Sequence, residues 1–169
     1  MKKNLTLTGM MGVGKSTIGK AISREISMRF IDIDKIIEKK LKLTIQEIFE
    51  KKGEAFFREF EEKVTLEEIK KKNNVISLGG GAFMNRKIRD CVISDTKSFW
   101  LDLDVDVLEK RLVDSQKRPL LINKNIRLDL EKIYIERKDT YSLANYKIDC
   151  NNLTVSLIVK KIITLYENS

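Results

Sequence analysis

Between Leu5-Thr6-Leu7-Thr8 and an amphipathic run from Lys15 to Ile26 lies Gly9-Met10-Met11-Gly12-Val13-Gly14-Lys15-Ser16, a full match to GxxxxGK[ST]. The first run is β-prone, and the second carries apolar residues at Ile18, Ala21, Ile22 and Ile26 with helical spacing. Strand, glycine loop and helix are the setting this motif needs. Glycines let the backbone curl so that successive N–H groups face phosphate oxygens, and the helix N-terminus adds a favourable dipole. Gly12, Val13, Gly14, Lys15, Ser16 and Thr17 are therefore candidate nucleotide-binding residues. Lys15 is expected to reach the β and γ oxygens, and Ser16 to hold Mg²⁺.

Further strands are expected at Phe30 to Ile33, Val75 to Leu78 and Ser98 to Leu103, with a weaker one around Tyr146 to Cys150. Helical patterns fill the gaps. Such alternation predicts βαβ crossovers, hence an α/β fold of three layers, α/β/α, around a five-stranded parallel sheet. The stretch from Lys35 to Lys72 holds no strand and breaks at Thr44 and Gly53, so residues 34–72 read as an inserted helical substrate-binding module. Thr44 followed by Glu47 fits a capping box, a structural role. At 169 residues the chain is read as one domain, 1–169.

Several function classes fall away. With no histidine and two distant cysteines, Cys91 and Cys150, no zinc site or Cys/His nucleophile can be assembled, and both thiols are expected to stay reduced. No apolar run approaches bilayer length, and the N-terminus lacks a secretory pattern, so a cytoplasmic protein without a membrane contact is expected. The formal charge of +8 suits anionic partners. Its lysines are spread over the chain without interleaved aromatics, however, which favours a solvated surface over nucleic-acid binding. A monomer is expected.

Asp32 and Asp34 fall on alternate positions at the end of the second expected strand, which points both carboxylates to one side of the sheet's carboxyl edge. One can act on Mg²⁺ through water, and the other can orient or deprotonate an attacking hydroxyl. Capping of a helix from Lys35 is the structural alternative for Asp34. Gly79-Gly80-Gly81 strips a strand end of side chains, as close approach of a ligand to backbone N–H groups requires, or as a flexible connection would. Phe99-Trp100-Leu101-Asp102 has the look of a Walker B strand, but Asp32 is the preferred metal residue. Arg118 precedes Pro119, the one proline, and is held extended on an expected mobile lid, residues 112–125, where it can stabilise transferring phosphoryl charge. Arg111 sits near a helix end, placed to stack on a base.

Taken in order and spacing, Gly9 to Ser16, Asp32-Ile33-Asp34, Phe57-Arg58-Glu59-Phe60-Glu61, the triple glycine and Arg118-Pro119-Leu120 resemble shikimate kinase over nearly the whole chain. The resemblance implies a P-loop fold like that of the nucleoside monophosphate kinases. It also implies transfer of the γ-phosphoryl of ATP to the 3-hydroxyl of shikimate, in the chorismate and aromatic amino-acid pathway. Asp34, Arg58, Gly80, Gly81 and Arg137 would contact shikimate, the arginines taking its carboxylate, with Phe49 and Phe57 walling its ring. Lys15, Asp34 and Arg118 would carry the chemistry, Ser16 and Asp32 the magnesium, and Arg111 the adenine. One departure stands out: the family's adenine loop often carries proline, where this chain has Asn151-Asn152-Leu153-Thr154. The competing readings are a gluconate or nucleoside monophosphate acceptor, and a nucleic-acid-binding ATPase or non-catalytic nucleotide sensor.

Overall fold

The computed structural model describes residues 3–113 and 125–168. Among them, β1 (Asn4–Thr8), β2 (Arg29–Asp32), β3 (Asn74–Ser77), β4 (Thr96–Asp102) and β5 (Tyr146–Asp149) form one sheet. Its order is β2-β3-β1-β4-β5, and every pairing is parallel. The helices are α1 (Lys15–Glu25), α2 (Ile33–Leu41), α3 (Ile45–Lys70), α4 (Arg86–Asp95), α5 (Val105–Val113), α6 (Ile126–Tyr141) and α7 (Val155–Glu167), with a 3₁₀ turn at Ala82–Met84. All five expected strands are present, shifted by no more than two residues at either end.

The chain steps one way across the sheet from β1 to β2 and the other way from β3 to β4. Right-handed crossovers then put α1 and α4 on opposite faces. Both faces being covered, β1 and β3 are buried at every position, as central parallel strands are. Leu5, Leu7, Val75 and Ile76 are fully buried, each contributing about 1.5–3 kcal/mol by leaving water. α1 packs so tightly that a Cβ on Gly19 would lie 2.5 Å from the Phe30 ring. Polar Asn4 survives inside because its amide donates to the Ile69 and Lys71 carbonyls (2.8 and 2.5 Å) and accepts from the Asn74 N–H (2.9 Å). This pins the start of β1 to the end of α3, and so fixes the helical insertion to the sheet.

The insertion follows its sequence signals. Thr44 is the N-cap of α3 in a complete capping box: its hydroxyl accepts from the Glu47 N–H, and the Glu47 carboxylate accepts from the Thr44 N–H at 2.8 Å. Gly53 breaks the helix with φ 82° and ψ 166°, a conformation open essentially to glycine alone. Cys91 and Cys150 are free thiols, and burial pushes Cys150 up to about 11, so it stays protonated. Among the described residues no helix is long and apolar enough to cross a membrane.

Candidate active site

The loop from Gly9 to Gly14 leaves β1 at the centre of the sheet and enters α1. Gly9, Gly12 and Gly14 hold positive φ, which is why this curl is built from glycine. At Gly9 a side chain is doubly barred, since its Cβ would also stand 2.5 Å from the Leu101 carbonyl. The Lys15 ammonium folds along the loop and donates to the carbonyls of Gly9 (2.8 Å) and Met10 (2.9 Å). α1 begins at Gly14 without a side-chain cap, which leaves its first-turn N–H groups to serve an anion. Arg111, near the end of α5, reaches back and donates to the carbonyls of Val13 and Gly12 (3.2 and 3.4 Å). The resulting cleft, about 320 Å³, is lined by Gly12, Gly14, Lys15, Ser16, Thr17 and Arg111, among others. Val13 is not part of this lining, and its side chain is buried in the core.

A second cleft of about 650 Å³ lies beside the first, between the helical insertion and the glycine edge of β3. Asp34, Phe49, Phe57, Arg58, Glu61 and Arg137 line it together with all three glycines. The phenyl rings of Phe49 and Phe57 meet at 4.8 Å and form one apolar wall. Ser16, Asp32, Asp34 and Gly80 line both clefts, so the two meet where these four residues stand.

The two aspartates do not alternate along a strand, as their spacing suggested. β2 ends at Asp32 and α2 starts at Ile33, so Asp34 lies in the first helical turn. The cap is Asp32, whose carboxylate accepts from the Lys35 N–H at 3.3 Å and also from the Ser16 hydroxyl at 2.6 Å. Helix geometry rather than strand alternation brings Asp34 to the cleft. A carboxylate there is further favoured by the positive end of the helix dipole.

Glu61 is the residue the sequence reading passed over, although it falls within the Phe57-Arg58-Glu59-Phe60-Glu61 segment. Its carboxylate is 1% exposed and pairs with Arg58 at 2.8 Å, three residues earlier on α3. Burial pushes Glu61 above the usual carboxylate range, against the pull of Arg58, and nearby Asp34 pushes it the same way. Burial by itself would lower Arg58, but Glu61 and Glu54 outweigh it and hold the guanidinium above its ordinary value. The i,i+3 spacing of Arg58 and Glu61 was the available signal.

The glycine run is bare for a more particular reason than ligand approach. A Cβ on Gly79 would stand 2.6 Å from Glu61 Oε1 and 2.8 Å from Asp34 Oδ1. One on Gly81 would stand 2.7 Å from the Arg58 guanidinium. Two of the three glycines thus make room for the protein's own charged groups. Gly80 is different: a Cβ there meets nothing closer than 3.5 Å, and its carbonyl accepts from Arg137 Nη1 at 3.1 Å.

Asp102 is ruled out as a metal residue by its partners. Tyr134 donates to one carboxylate oxygen at 3.0 Å and Lys147 to the other at 2.9 Å, outside both clefts. After β5 the chain turns without proline because Asn152 takes a left-handed conformation while the Asn151 amide bridges Asp149 and Asp104. Arg118 and residues 114–124, with most of the expected lid, lie outside the described residues.

With this geometry in view, comparison with known proteins is decisive. The sequence profile described as shikimate kinase matches residues 11–167. The chain belongs to the shikimate kinase family. A shikimate kinase of Sulfurihydrogenibium sp. is 40% identical over 162 residues, covering 96% of each chain. The solved shikimate kinase of Acinetobacter baumannii, in complex with shikimate, superposes with a TM-score of 0.95 at 31% identity, over 99% of this chain and 94% of that one. A gluconokinase of Sinorhizobium meliloti reaches only 0.63 at 16% identity over 98% and 94%, a likeness of fold alone. Membership in the family makes the chain an ATP-dependent small-molecule kinase with a P-loop fold.

Proposed function

We propose that the chain transfers the γ-phosphoryl group of ATP to the 3-hydroxyl of shikimate, giving shikimate 3-phosphate and ADP. What carries this reading is the junction of two clefts at Ser16, Asp32, Asp34 and Gly80. Triphosphate laid along the glycine loop ends at that junction, and an acceptor in the larger cleft presents its hydroxyl to the same place. Phosphoryl transfer asks the protein mainly for positioning and charge neutralisation.

Arg58 and Arg137 supply planar forks of donors for the acceptor carboxylate, which orients the ring against Phe49 and Phe57. Asp34 then accepts a hydrogen bond from the attacking hydroxyl and takes its proton as the bond to phosphorus forms. Lys15 neutralises charge on the β and γ oxygens, and Arg111 lies against the open side of the loop, where the adenine would stack. Arg118 is assigned to the transferring group on the family resemblance.

The Ser16 hydroxyl and Asp32 carboxylate, 2.6 Å apart at the junction, are hard oxygen donors that fit Mg²⁺, which keeps several waters and phosphate oxygens of its own. Bound there with ATP, the ion would neutralise phosphate charge.

The test is ADP release by the purified protein with ATP and Mg²⁺, given shikimate, gluconate, AMP or RNA in turn. Turnover should be negligible until shikimate is added. Equal rates with gluconate or AMP, or stimulation by RNA without an acceptor, would sink the assignment.

A further inference from the structure

α6 ends in the acceptor cleft with two residues one helical turn apart, Arg137 and Tyr141. Both aim at the same atom. Arg137 Nη1 donates to the Gly80 carbonyl at 3.1 Å, and the Tyr141 hydroxyl donates to it at 2.5 Å. Tyr141 is fully buried, and its ring stacks on Trp100 of β4 at 6.0 Å with a 25° tilt, so the hydroxyl is held in one place. Burial raises Tyr141 above its ordinary value, which keeps the hydroxyl a donor throughout the neutral range.

The Gly80 carbonyl belongs to the peptide that joins Gly80 to Gly81, a planar unit with one orientation to set. Glycine leaves both flanking residues free to turn, so the plane must be fixed from outside. On its two sides lie the cleft's arginines. The Arg58 guanidinium stands 2.7 Å from where a Gly81 Cβ would be, and Arg137 Nη1 stands 3.8 Å from where a Gly80 Cβ would be. Rotation of this peptide would take the carbonyl from Arg137 and from the Tyr141 hydroxyl together, beside the glycine on which Arg58 packs.

We infer that Tyr141 is a positioning residue for acceptor recognition, its buried hydroxyl locking the Gly80–Gly81 peptide and thereby the spacing of Arg58 and Arg137. This rests on the reading that those arginines receive the acceptor carboxylate. Arg137 keeps Nη1 on this carbonyl while its remaining N–H donors face the carboxylate, so the orientation of the peptide sets that of the guanidinium.

The full-length Tyr141→Phe variant removes only the hydroxyl and keeps the ring against Trp100. Loss of one such hydrogen bond should raise KM for shikimate about five- to tenfold, with KM for ATP unchanged and kcat altered less than twofold. With shikimate methyl ester, which lacks the carboxylate charge, variant and wild type should have the same KM. A shikimate KM equal to the wild type's would overturn the inference. So would an equal rise for ATP, an equal loss with the ester, or a variant that has lost cooperative thermal unfolding and thus needs the hydroxyl merely to fold. If wild-type protein shows no shikimate-dependent ADP release, the functional reading fails first and this one with it; wild-type turnover with an unchanged variant defeats the positioning role alone.

Discussion

Replacing Gly79 by alanine adds one methyl group at the point where two carboxylates, Glu61 and Asp34, crowd together. Its Cβ would lie 2.6 Å from Glu61 Oε1 and 2.8 Å from Asp34 Oδ1, well inside ordinary contact. Neither oxygen is the loose end of a mobile chain: Glu61 is 1% exposed and tied to Arg58, and Asp34 stands in the first turn of α2. Each must retreat by roughly half an ångström or more, and because a misplacement of about 1 Å costs about 100-fold in rate, a loss of roughly tenfold or more is expected. Overpacking adds a stability loss of about 1–3 kcal/mol. In a chain of this length that lowers the melting midpoint by about 2–4 °C for each kcal/mol. Nucleotide affinity should hold, because Lys15 and the loop carbonyls that accept from it lie outside the crowded point. Coupled ADP release gives kcat, a fluorescent ATP analogue gives nucleotide affinity, and a thermal melt gives stability. Gly80→Ala, where a Cβ meets nothing nearer than 3.5 Å, should melt close to wild type. A Gly79→Ala enzyme with kcat within threefold of wild type would refute this account of the bare strand end.

Asp34→Asn should collapse turnover while nucleotide affinity stays intact; kcat within tenfold of wild type would remove Asp34 from the chemistry. Arg58→Ala takes the charged partner from the acceptor, raising its KM by about 10- to 100-fold. It also leaves Glu61 buried without its cation, a loss of about 3 kcal/mol that the added change Glu61→Gln should partly restore in a denaturant melt. Glu61 has its folded pKa raised by burial, so its contribution to stability is present at low pH and lost as pH rises through that raised value. The stability difference between wild type and Glu61→Gln should therefore move in favour of the variant as pH climbs past the ordinary carboxylate range, read from melts at several pH values. An acceptor carboxylate arriving at Arg58 adds negative charge beside Glu61 and raises it further, so binding should take up protons. Calorimetry in buffers of different ionisation enthalpy would detect the uptake, and its absence would place the carboxylate elsewhere.

The glycine loop, the strand positions and the capping box were legible because each is a local pattern with one physical solution. So was the break at Gly53. Asp34 lines the cleft from a first helical turn rather than from a strand, because a two-residue spacing reads equally as strand alternation or as a cap followed by a first turn. Only the Asp32 hydrogen bonds to Ser16 and to the Lys35 N–H decide between them. Glu61 was hidden because an acidic residue on a charged helix reads as solvated surface, and its burial arises beside Gly79 and α2, distant in sequence. The same holds for Gly79 and Gly81. Glycine announces that space is needed but not whether a ligand or the protein's own side chains will fill it.

The break at Gly53 divides the acceptor's surroundings between two rigid pieces of α3. Phe49 stands before it, and Phe57, Arg58 and Glu61 after it. A Cβ at Gly53 would meet nothing within 4 Å, so only its φ of 82° bars a side chain there, while Phe49 and Phe57 pack against each other across the break. A substitution at Gly53, which touches no ligand, would therefore act on the acceptor cleft by turning one half of its apolar wall against the other, and so on the ring sizes the enzyme accepts.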